Sequence, residues 1–77
     1  MNSELRSIIV LYNNKNITEI QLSKLTNITY SWLVTVLHRL INDGLITKEP
    51  YGRVKYINLT PKGIELAKHA IVLSKYL

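Results

Sequence analysis

Six side chains in one short stretch, Tyr30, Ser31, Trp32, Val34, Thr35 and His38, lie among an apolar set, Leu33, Val36, Leu37 and Leu40, spaced by three, one and three. That spacing gathers the leucines and the valine on one stripe of a helix, so the other six point away from whatever the stripe covers. The hydroxyls of Tyr30, Ser31 and Thr35 can bond base edges or phosphate oxygens, and Val34 and the Trp32 ring can touch thymine methyl groups. Lys24, Arg39, Arg53 and Lys55 are cations suited to phosphates. Catalysis, by contrast, has no foothold: it needs a nucleophile with its base, paired carboxylates or a metal cluster. The two histidines, His38 and His69, stand 31 positions apart, the five acids are scattered singly, and there is no cysteine. No enzyme, metal or cofactor is expected.

The chain has 77 residues, enough for one domain covering 1–77, and its 47% apolar content is too high for a disordered tail. The apolar runs are too short for a membrane span. Absence of cysteine rules out disulfides, and the start Met1-Asn2-Ser3-Glu4 lacks the pattern of a signal peptide, so a cytoplasmic setting is expected. The sequons at Asn16, Asn27 and Asn58 then carry no glycan, and their threonines read as helix caps. Ten Lys and Arg against five Asp and Glu give a net charge of +5, and no carboxylate occurs between Ile20 and Asn42. A surface that approaches a polyanion has that character.

These side chains need elements to position them. Residues 3–13 carry Leu5, Ile8, Ile9 and Tyr12 at helical spacing, with Ser3 as the expected N-cap. Asn13-Asn14-Lys15-Asn16 ends this first helix, and Ile17 suggests a short extended piece. Thr18-Glu19-Ile20-Gln21 is a capping box that opens a second helix, 19–26, with Ile20, Leu22 and Leu25 as its apolar contacts. Thr29 caps a third helix, 30–43, stopped by Gly44. The period then changes to two β-rich runs within 45–59, parted by Pro50-Tyr51-Gly52-Arg53, a hairpin with a basic tip. Thr60 as N-cap and Pro61 at N1 open a fourth helix, 61–76. The class is α+β, mainly α.

This order, with Ile20-Gln21-Leu22-Ser23-Lys24-Leu25, then Ile28, Leu33, Leu37, Leu40, Asp43-Gly44-Leu45-Ile46 and finally Leu59-Thr60-Pro61-Lys62-Gly63, resembles the winged helix-turn-helix regulators, MarR-like and related small archaeal, viral and bacterial proteins. The resemblance covers about Thr18 to Ala67. It implies that the third helix enters the major groove of double-stranded DNA through Thr29, Tyr30, Ser31, Trp32, Val34, Thr35, His38 and Arg39, that Lys24 meets the backbone, and that Tyr51, Gly52, Arg53 and Lys55 form a wing. Where such proteins often present Arg, Asn or Gln, this helix offers hydroxyls and apolar groups, which points to an A·T-leaning site. The family's frequent acidic residue two positions before the wing arginine is Tyr51 here. Structural roles compete at several positions: Trp32 packing on helix 2 or the wing, Arg39 pairing with Asp43, and Arg53 as a solvated turn residue.

The fourth helix has two apolar stripes, Ile64, Ala67 and Ile71, and Leu66, Ala70, Leu73 and Leu77. One stripe can cover the core. The other predicts a homodimer, and hence a pseudo-palindromic operator, unless both wrap one small core. The function expected is a sequence-specific transcriptional regulator, autoregulatory rather than effector-controlled because so short a chain leaves little room for a ligand pocket. The alternative is a winged-helix protein-interaction module.

Overall fold

The computed structural model describes residues 2–76, so Leu77 of the expected dimer stripe lies outside the described residues. Helix α1 (Ser3–Asn13) is followed by α2 (Glu19–Thr26), α3 (Tyr30–Asn42), strand β1 (Ile46–Tyr51), strand β2 (Val54–Leu59) and α4 (Pro61–Ser74). This is the element order expected from the periodicities and the winged helix-turn-helix class that the resemblance implies.

Local chemistry explains most boundaries. Thr18 Oγ1 accepts from Gln21 N at 3.2 Å while Gln21 Oε1 accepts from Thr18 N at 2.9 Å, so the capping box forms. Thr60 Oγ1 accepts from Gly63 N at 3.1 Å, and Pro61 follows at the first helical position. Gly44, at φ 71°, reverses the chain after α3. Two caps differ from expectation. Asn2 rather than Ser3 caps α1, its Oδ1 accepting from Leu5 N at 2.8 Å, because Ser3 is already helical. Thr29 occupies the cap position of α3, but its side chain makes no capping hydrogen bond.

The core gathers Ile8 and Leu11 of α1, Leu22, the stripe Leu33, Val36, Leu37 and Leu40, then Leu45, Ile46, Ile57 and Ala67. The extended piece at Ile17 is a single antiparallel bridge to Ile57, with Ile57 N donating to Ile17 O at 2.8 Å. Ile20 and Leu25 do not join the core: they are 60% and 54% exposed, since α2 buries only the side holding Leu22 and Thr26. Gly63 is where α4 crosses the root of the hairpin, and a Cβ there would stand 2.1 Å from the Leu45 carbonyl oxygen. Its place in the Leu-Thr-Pro-Lys-Gly run is therefore steric.

Candidate nucleic-acid interface

Burial of Leu33, Val36, Leu37 and Leu40 turns the opposite side of α3 outward. Ser31, Thr35 and His38 are exposed in one row along it, and Asn42, one turn further, continues the row. Val34 is half-buried and stands at its edge. Thr29 is exposed at the head of the helix.

The three larger side chains of this helix are tied to neighbouring elements. Trp32 Nε1 donates to Ser3 Oγ at 3.2 Å, which places the indole against α1 and not against α2 or the wing. The Arg39 guanidinium lies 5.5 Å from the Trp32 ring centre and donates to Glu4 Oε1 at 3.0 Å. Its partner is thus Glu4 of α1 rather than Asp43: the side chain leaves α3 on the flank facing α1, whereas Asp43 follows the last turn as its C-cap. Tyr30 Oη donates to Glu19 Oε2 at 3.0 Å. Of the six side chains that the stripe turned outward, Ser31, Thr35 and His38 show none of these ties.

Glu19 opens α2 and also pairs with Lys48 Nζ of β1. Burial alone pushes its carboxyl up, but hydrogen bonds from Lys48 and Tyr30, with the charges of Lys48 and Lys55, outweigh this and hold it below 4.5. The same hydrogen bond and the carboxylate charge push the Tyr30 phenol above its ordinary value. The N-terminal ends of α2 and α3 and the inner side of the hairpin therefore meet at one carboxylate.

In the hairpin Tyr51 pairs with Val54 across a two-residue loop, Gly52-Arg53. Gly52 has φ 62° and Arg53 is not among the positive-φ residues, the pattern of a type II′ turn. The turn is thus Tyr51 to Val54, and Pro50 belongs to β1 opposite Lys55. That pair falls between the hydrogen-bonded ones, where the missing proline N–H costs nothing. Alternation puts Ile46, Lys48, Pro50, Lys55 and Ile57 on the helix-facing side, and Glu49, Tyr51, Val54 and Tyr56 on the other. Tyr51 accordingly packs on Tyr56, ring centres 5.5 Å apart, and Lys55 faces Glu19. Arg53 is exposed at the tip. Lys24 is exposed on α2, where it lines a shallow groove of about 270 Å³ with Ile20, Ser23 and Tyr30.

Two of the residues expected to form a dimer stripe are consumed by the chain itself. Ala70 is buried and Leu66 packs against the core, because α4 lies across α1 with that side inward; Leu73, at 63% exposed, is not covered. The exposed apolar residues toward the end of α4 are Val72, Leu73 and Tyr76. An open surface groove of about 650 Å³ is lined by Leu11, Tyr12, Lys15, Asn16, Asn58, Leu59 and Ile64, between α1 and the end of the hairpin.

Glu19, Asn42 and Lys48 were not singled out by the sequence. Asn42 was detectable, since it extends the helical period of Ser31, Thr35 and His38. Lys48 follows from strand alternation with Ile46. Glu19 carries no such signal, because its partners sit on two other elements.

Neither a protein-family model nor a curated protein matches the sequence. Solved structures do match. A MarR family transcriptional regulator from Silicibacter pomeroyi DSS-3 is similar at TM-score 0.84 and 25% identity, over 95% of this chain and 53% of that one. MepR, a transcription regulator of the Staphylococcus aureus multidrug efflux pump MepA, is similar at TM-score 0.84 and 23% identity, over 95% of this chain and 57% of that one. This chain thus spans a little over half the length of those regulators. SSV1 F-93 is closer in size, at TM-score 0.87 and 22% identity over 99% of this chain and 90% of that one. The chain has a winged helix-turn-helix fold, and the structures it resembles are MarR-family and related winged-helix transcriptional regulators.

Proposed function

We propose that this protein is a sequence-specific double-stranded DNA-binding regulator of transcription. The observation that carries this reading is the convergence at Glu19, which sets the head of α3 beside the inner side of the hairpin. A recognition helix and a wing so arranged can follow adjacent grooves of one duplex. Ser31, Thr35 and His38 then face base edges and Asn42 the end of the contact, while the Thr29 hydroxyl, unused in capping, is available to a phosphate. Arg53 enters the minor groove or meets the backbone, and Lys24 and Lys55 add phosphate contacts. Short hydroxyls and an absence of guanidinium groups in the outward row favour an A·T-leaning site. Titration of AT-rich duplex at several salt concentrations tests the reading: log K must fall steeply with log salt, and a flat response overturns it.

A homodimer belongs to the same proposal, now through Leu73, Val72 and Tyr76 rather than Leu66 and Ala70. It implies a pseudo-palindromic operator, and the reading includes control of its own gene. Sedimentation giving a monomer at tens of micromolar, with one chain per duplex, removes this part.

Exposed Ile20 and Leu25 on α2 favour a second reading, a protein-interaction module, since apolar residues gain nothing beside phosphates. The salt titration separates the two.

A further inference from the structure

The stretch from Ile20 to Asn42 contains no carboxylate, yet Glu19 stands at its edge, against the surface assigned above to DNA. A carboxylate near phosphates opposes binding, so its position requires a compensating role. Its two oxygens serve different elements: Oε1 pairs with Lys48 of β1, and Oε2 accepts from Tyr30 of α3 at 3.0 Å. Ile46 and Ile57 hold the root of the hairpin in the core, Lys48 opposite Ile57 is partly buried, and beyond that pair the inner residues Pro50 and Lys55 are exposed. The Glu19–Lys48 pair is the outermost ion pair joining wing to helices among the described residues.

We propose that Glu19 is a positioning residue, which fixes the wing relative to the recognition helix and keeps Lys48 off the phosphates, so that it lowers general DNA affinity and raises discrimination between sequences. This rests on the DNA-binding reading. While paired, Lys48 and Glu19 present no net charge to a duplex, and the wing approaches at one angle. Without the carboxylate, Lys48 becomes a phosphate contact usable on any sequence, and the wing adapts to duplexes of different groove width.

The test compares wild type, Glu19→Gln and the double variant Glu19→Gln/Lys48→Gln on two probes, a duplex selected by the wild type from a random pool and a scrambled duplex of equal composition. Both variants retain Thr18 and Gln21, hence the capping box, and far-UV circular dichroism verifies folding. Glu19→Gln is expected to steepen the dependence of log K on log salt by about 0.9, one additional phosphate contact. It should bind the scrambled duplex several-fold tighter at low salt, with a smaller gain on the selected one. The double variant should return to the wild-type slope, which a merely structural role for Glu19 does not explain. Unchanged slopes in Glu19→Gln, or a steepening that survives loss of Lys48, overturn the inference while the DNA-binding reading stands. Wild type without salt-dependent binding overturns that reading itself.

Discussion

The recognition helix and the wing are held in opposite ways. Helix α3 is anchored in the core along one side by Leu33, Val36, Leu37 and Leu40, and its flanks are pinned by Trp32 to Ser3, Arg39 to Glu4 and Tyr30 to Glu19. The wing is anchored at its root by Ile46 and Ile57 and runs outward to an exposed tip, with the Lys48–Glu19 pair between. The pinned element offers short hydroxyls, whose hydrogen bonds depend on fixed geometry. The projecting element offers Arg53 and Lys55, whose long-range attraction tolerates movement. On the DNA-binding reading proposed above, the pinned helix would supply most of the base discrimination and the projecting wing much of the affinity, with the Glu19–Lys48 pair setting how the two meet.

The largest expected effect comes from breaking the root that both share. Gly63→Ala forces α4 away from the Leu45 carbonyl and should cost about 3 kcal/mol of stability, since overpacked sites with no room to relax fall at the upper end of such losses. Urea unfolding measures it, and a loss within 0.5 kcal/mol shows that α4 slides freely over the hairpin. Next, Arg53→Ala should weaken binding about tenfold, alike on all sequences, and lower the salt slope by about one, with the melting temperature unchanged. Equal affinity for the variant removes the wing from the mechanism.

Trp32→Phe keeps an aromatic ring but removes the indole N–H and part of the ring surface, so it should cost about 1 kcal/mol, because the bond to Ser3 and the side chain are exposed. If α3 depends on its pins, this variant should lose discrimination between duplexes more than general affinity. The smallest effect is that of acid. Glu19 is held below its ordinary 4.5 in the folded chain, so its stabilisation is complete above that value and is lost as pH falls through the folded value. Glu19→Gln should therefore narrow the fall in melting temperature below about pH 4.5 by no more than about 5 °C, the scale of a partly exposed pair. Parallel curves for the two proteins exclude the carboxylate from this transition.

Much of the site was legible because it follows from local rules. The stripe on α3 assigned Ser31, Thr35 and His38 to the outside without reference to the rest of the chain, and extended one turn it would have included Asn42. The same rule failed for Trp32 and Arg39, since a helical wheel says which side a residue leaves from but not which neighbour it meets. It failed on α4 as well: the apolar spacing of Leu66, Ala70 and Leu73 is genuine, but α1 covers the first two.

What the sequence determined by itself is therefore the set of elements and several of their ends: the Thr18–Gln21 box, the Thr60-Pro61 start, the reversal at Gly44, the hairpin around Gly52, and the stripe that orients α3. Each depends on interactions within a few residues, so composition and spacing suffice. The tertiary structure alone decided the pairings of Glu19 with Tyr30 and Lys48, of Arg39 with Glu4 and of Trp32 with Ser3, and the close approach of Gly63 to Leu45. These contacts join distant elements, and packing of the shared core sets which side chains come within hydrogen-bonding reach.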